Sequence, residues 1–163
     1  SAAAKFFTPS DPCGVGGMHR EHIRATPSWY KGPPRYGCVY VNTDPDADGM
    51  LGLDVARVRL FMSFKFDGIR YPCALIHWYE RLADAPDDVT GLWVVERQYA
   101  NDGSPILGII HLDTITHAAH SMPVYGQHLI DEDLQPHETL DSEDFDGFYA
   151  NKYIDQHAFE TIT

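Results

Sequence analysis

Residues 57–113 alternate apolar and polar side chains with the two-residue period of strands that bury one face. Val58, Leu60, Met62, Phe64 and Phe66 share one parity, and Arg57, Arg59, Ser63 and Lys65 hold most of the other. Asp67-Gly68 follows, a dipeptide that tolerates positive φ in a tight hairpin, so the chain is expected to return through residues 69–79. Pro72 has no N–H to give a neighbouring strand, which puts its end of the return strand at an edge or a bulge. Residues 92–99 make a third run, Asn101-Asp102-Gly103 a second turn and residues 106–112 a fourth run. Consecutive antiparallel pairing, a four-stranded meander, is the simplest topology.

Outside this centre the pattern weakens. Residues 1–36 are rich in Gly and Pro and read as an arm lying over the domain, with residues 18–25 able to form one short helix. Residues 38–41 read as a strand ended by the turn-forming stretch 42–49. At Asp113 the period changes: a short carboxylate suits a helix start, and Ile115, Ala118, Ala119 and Met122 follow at helical spacing before Pro123. Residues 129–147 are acidic and aperiodic, and the aromatic segment 148–159 is expected to return to the sheet. The expected fold is mainly β, a small curled antiparallel sheet or partly open barrel with short helices and a long acidic loop; an open α+β sheet is the second choice. Residues 1–36 form the arm, and residues 37–163 a single domain.

Composition changes this picture little. A chain of 163 residues with 44% hydrophobic and 22% charged side chains can bury a core without a staple. No apolar run approaches the roughly 20 residues of a membrane span, so no membrane partner is expected. Cys13, Cys38 and Cys73 are odd in number and far apart, which suits reduced thiols in a cytoplasmic or nuclear protein. Charge changes the picture more. Residues 1–97 hold 11 Lys/Arg against 12 Asp/Glu, and residues 98–163 hold 1 against 12. That field repels a phosphate backbone unless the N-terminal arginines gather in a separate patch, and it favours a basic protein or peptide as partner.

Two groupings could carry chemistry. On a helix, Asp113, His117 and His120 would share one face at i, i+4 and i+7, with His111 two residues before, giving nitrogen and oxygen donors for a divalent metal. No other cofactor is called for. The same residues also read as an N-cap aspartate with partly exposed histidines. Tyr79-Glu80-Arg81 and Trp93, Glu96 and Arg97 supply aromatic, acidic and cationic groups that could stack a base, stabilise an oxocarbenium ion and protonate a leaving purine. On a strand, neighbouring side chains point to opposite faces, so Glu80 and Arg81 converge only at a bulge or turn. Cys73 sits in an apolar strand with no basic neighbour and reads as core. Cys13 with His19 and His22 has a loose ligand spacing, but its Gly-Val-Gly-Gly is not a phosphate loop.

Six collinear motifs carry a family resemblance: Trp29-Tyr-Lys-Gly-Pro-Pro-Arg-Tyr36, Gly52-Leu-Asp-Val-Ala-Arg-Val58, Tyr71-Pro-Cys-Ala-Leu75, Ile110-His-Leu-Asp-Thr-Ile115, Pro123-Val-Tyr-Gly126 and Asn151-Lys-Tyr-Ile-Asp155. Through them residues 29–160 resemble the C-terminal region of fungal Plavaka-type transposases. The resemblance implies a basidiomycete-like origin and an accessory role apart from the family's nuclease domain, with no catalytic residue to carry over. At fold level, residues 57–113 followed by 148–155 also resemble a bromo-adjacent-homology barrel, a fold used to bind chromatin proteins. The function expected is a noncatalytic interaction module that binds a basic protein or peptide. The alternative is an enzyme acting on nucleic acid: a metal-assisted ribonuclease through Asp113, His117 and His120, or a ribosome-inactivating rRNA N-glycosylase through the Tyr/Glu/Arg groups.

Overall fold

The computed structural model describes residues 1–7, 18–124, 145, 147–154, 158, 159 and 162. In chain order its strands are β1 (Ala2–Phe7), β2 (Met18–Ile23), β3 (Ala25–Thr26), β4 (Arg35–Tyr36), β5 (Cys38–Asn42), β6 (Leu53–Phe66), β7 (Ile69–Arg81), β8 (Trp93–Arg97), β9 (Leu107–His111), β10 (Ile115–Ala119), β11 (Ser121–Pro123) and β12 (Phe148–Ala150). Short 3-10 turns at Gly49–Gly52 and Leu112–Thr114 interrupt them. The chain is mainly β, as its alternation predicts. Of the acidic stretch 129–147, only Phe145 and Gly147 fall among the described residues; Cys13 lies outside them.

The main sheet runs β10-β5-β6-β7-β8-β12-β11, with β9 also paired to β7. Its two ends belong to one stretch of chain. β10 pairs with β5, and one residue later β11 pairs with β12, so residues 115–123 join the first edge to the last and nearly close an antiparallel barrel. Closure removes exposed edges and leaves an interior that side chains fill. Tyr40, Val55, Tyr79, Trp93, Val95, Ala119 and Phe148 form that interior.

The second face of β5, β6 and β7 is also covered. Val39, Val41, Ala56, Val58, Ala74 and Ile76 pack there with Ile23 at the end of β2. Residues 18–25, readable as a helix, are instead strands β2 and β3, because β2 pairs with β1 along its length and lays Ile23 onto this second core. Glu21 ties the arm down. Its carboxylate accepts the Ala118 N–H at 2.9 Å and lies 3.1 Å from His120 Nε2, at the bend between β10 and β11.

Three further readings are corrected. The helix expected after Asp113 is a 3-10 turn followed by strands, since His117 and Ala119 are needed inside the barrel while Ile115 and Ala118 pack on the outer core. Burial on both faces leaves an apolar pattern that helical spacing imitates. The meander of four is a meander of three, because β8 and β9 both run along β7: Tyr79–Arg81 pair with β8 and Cys73–His77 with β9. Asn101-Asp102-Gly103 turns an excursion out of this interrupted strand, closed where Ile106 N–H reaches the Gln98 carbonyl. Finally, β6 carries a bulge between Val58 and Leu60, so Val58 faces the outer core and Leu60 the opposite side. The Asp67-Gly68 turn stands as read, with φ of 49° and 77°.

Among the described residues no helix is long and apolar enough to cross a membrane.

Burial alone would raise the Glu21 pKa, but the His120 hydrogen bond, the Ala118 N–H and the charges of His120 and His117 outweigh it and hold the carboxyl below its ordinary 4.5. Glu21→Gln is therefore expected to cost about 1 kcal/mol near neutral pH. The wild-type advantage is complete above the unfolded pKa and is lost as pH falls through the lower folded value, so urea midpoints of the two proteins should converge in acid. A gap that persists in acid would contradict this role.

Candidate functional site

The strand register sorts side chains into rows across the inner face of β6, β7 and their neighbours. Tyr79 stands opposite Arg97; the next row is Arg57, His77 and Leu107; beyond it come Leu60, Leu75 and Ile109. Directly opposed residues of an antiparallel pair point to the same side. The first two rows form the barrel mouth. There Arg57, Arg59, His77, Arg97 and Tyr99 line a pocket of about 470 Å³ with Leu75 and Leu107.

Three arginines thus line one pocket in a protein of net charge −12; Arg57 is buried, at 3% exposed, and Arg59 stands in solvent. The β6 bulge makes this convergence. Arg57 is in register with His77, while Arg59 occupies the extra position, and both guanidiniums reach the Tyr36 ring, at 5.9 and 5.1 Å from its centroid. Arg97 lies 5.4 Å from the Phe148 ring. Burial disfavours the Arg97 charge, but hydrogen bonds to Tyr79 and Tyr99 outweigh that and raise its pKa above the ordinary value. A half-buried arginine held by two hydroxyls presents a fixed fork, the geometry that recognises carboxylate or phosphate oxygens.

The neighbouring groups are held in unreactive states. Burial first, then the nearby Cys38 thiol, push Tyr79 up to about 12, so its phenol stays protonated. Burial likewise raises the Cys38 thiol against the pull of Arg57. His77 Nε2 lies 2.9 Å from the Gln98 carbonyl, which can only accept, so this nitrogen carries hydrogen. Desolvation lowers the His77 pKa, the Gln98 bond opposes this, and the charges of Arg59, Arg97 and Arg57 lower it further.

The residues read from sequence distribute differently. Tyr79, Arg97, Trp93 and Arg81 lie on the inner-facing parity, with Arg81 5.8 Å from the Trp93 ring and donating to the Met50 carbonyl at 2.9 Å. Glu80 and Glu96 pair with each other on the opposite parity. The glutamates are therefore turned away from the cation and aromatic groups they would need for glycosidic chemistry. The metal set does not assemble either. Asp113 is 88% exposed beside His111, His117 is buried against Tyr40 at 4.8 Å, and His120 meets Glu21 outside the barrel. With a strand in place of the helix, the shared face does not form, and among the described residues no group of three or more His, Cys, Asp or Glu could hold a metal. Cys73 is buried, as read.

Sequence reasoning missed Arg57, Arg59, His77 and Tyr99 as a site. Compared with protein-family models, curated proteins and solved structures, the chain matches none. The mouth is accordingly read from its own geometry.

The arginine field has a spectroscopic consequence. NMR titration should place His77 below 6.5, and Arg59→Ser, which removes an exposed guanidinium, should raise it. An unchanged His77 in that variant would show that Arg59 does not act on the mouth.

Proposed function

We propose that this domain is a noncatalytic interaction module, of the accessory kind implied by its resemblance to transposase C-terminal regions, and that its mouth receives an anionic group of its partner. The observation that carries this is the exposed guanidinium of Arg59 at the rim of a pocket that Arg57 and Arg97 also line, beside a histidine whose pKa is lowered. Oxygen anions gain charge-assisted hydrogen bonds there, and Tyr36 and Phe148 support the guanidinium planes. The charge of −12 repels a long polyanion, whereas a single carboxylate or phosphate group meets the local field of the arginines.

A second reading is favoured by the charge distribution. With 12 acidic residues against 1 basic in residues 98–163, a basic protein or peptide is a suitable partner on charge.

Sulfate titrated at low ionic strength, followed by amide shifts of residues 107–111 and the His77 ring, should saturate. Arg59→Ser should weaken it about fivefold, the scale of one exposed charge contact. A labelled oligolysine probe reports the second reading, with binding that falls as salt rises and ignores Arg59→Ser. Sulfate shifts that do not saturate would remove the mouth as a site.

A further inference from the structure

The short hairpin of β3 and β4 carries a second concave surface, separate from the mouth. Ala25 and Thr26 pair with Tyr36 and Arg35, and the tip is closed where the Gly32 N–H donates to the Trp29 carbonyl at 2.8 Å. Tyr30 and Lys31 occupy the two positions between, with φ of 49° and 63°. Asn-Gly makes such a turn with little strain, whereas a tyrosine and a lysine hold the backbone where their own side chains disfavour it. Strain kept at an exposed tip directs attention to what the strained side chains do. Tyr30 is 88% exposed, its ring perpendicular to that of Trp29 with centroids 4.6 Å apart. Beside the two rings opens a cavity of about 600 Å³ whose lining includes Arg24, Ala25, Thr26, Ser28, Trp29 and Tyr30.

Three features of this lining specify a ligand. The Arg24 guanidinium lies over the Trp29 ring, 3.8 Å from its centroid, and donates no hydrogen bond to the described residues. Its face is occupied while its planar fork of N–H groups is open to an oxyanion. Tyr30 offers an aromatic face to a planar ring. The hydroxyls supply the third feature. Thr26 Oγ1 donates to the Ser28 carbonyl at 2.8 Å and accepts the Ser28 N–H at 3.4 Å, and Ser28 Oγ donates to the Gly32 carbonyl at 3.0 Å. With its hydrogen committed, Ser28 Oγ is left to accept from a ligand N–H. We infer that the cavity binds a nucleotide unit, with its phosphate on Arg24, its base stacked on Tyr30 and a base N–H donated to Ser28 Oγ. An inorganic phosphate satisfies Arg24 alone, and an aryl phosphate adds the ring; a nucleobase adds the N–H donor as well. A free nucleotide and a unit of a single strand share this chemistry, and the site uses none of the mouth's residues.

Titration of the Trp29 indole N–H resonance with AMP, adenosine and phenyl phosphate tests this. AMP should shift it saturably, and adenosine and phenyl phosphate, which lack the phosphate and the base respectively, should each bind about tenfold more weakly. Arg24→Lys keeps the charge but loses the stacked fork, and should weaken AMP about tenfold. Tyr30→Asn should weaken AMP about tenfold while raising the Tm, because asparagine accepts positive φ and removes the stacking ring. Loss of binding in a more stable protein separates a ligand contact from a structural role. Arg59→Ser should leave AMP binding unchanged. A short oligoadenylate distinguishes the sources: binding tighter than AMP, with the same dependence on Arg24 and Tyr30, assigns the site to single strands, and weaker binding assigns it to the free nucleotide. An AMP shift that does not saturate overturns the proposal. So does phenyl phosphate binding as tightly as AMP, or AMP binding that Tyr30→Asn leaves intact.

Discussion

Residues 115–123 must satisfy two sheet edges at once, and the rest of the fold depends on that constraint. Ile115–Ala119 complete β5, and Ser121–Pro123 complete β12. Between them the backbone has one residue, His120, in which to change partners. An unpaired edge costs hydrogen bonds and invites association, so a strand that serves both edges stabilises the barrel and closes it together. Glu21 reinforces this joint from outside by holding the Ala118 N–H and His120, which ties the arm's position to closure.

Closure also positions the mouth. Tyr79 and Phe148 fill the interior beneath Arg97, and the Tyr36 ring lies within reach of Arg57 and Arg59. Arg97 is held by the Tyr79 and Tyr99 hydroxyls and lies over the Phe148 ring, so its direction is fixed before any ligand arrives. Preorganisation of that kind lowers the entropy lost on binding. Past the barrel the same sheet face continues along β6 with Leu60, Phe64 and Phe66 exposed.

Much of the β architecture was legible because alternation, Asp67-Gly68 and Pro72 act locally. The hairpin formed where those residues put it, and Pro72 lies just past the stretch of β7 that β9 covers. What escaped depends on events that local pattern does not record. Counting back from the turn without a bulge would set Arg57 opposite Trp78; the extra residue at Arg59 shifts Arg57 onto His77 and creates the pocket. The stretch after Asp113 looked helical because both its faces are buried, which spaces small and apolar residues as a helix does. Arg97 was singled out from sequence, but with Glu80 and Glu96, which the pleat turns to the other side. The acidic block that suggested a basic partner lies almost wholly outside the described residues, so it bears on function through charge alone.

The central claim is the proposal that the mouth, with exposed Arg59 at its rim, receives an anionic group. Crystals grown without oxyanions and soaked in selenate test it most directly through anomalous diffraction. The account requires the strongest selenium peak to lie at the mouth, against the Arg59 guanidinium. Selenium found only at scattered surface positions, with the mouth clear, would contradict it.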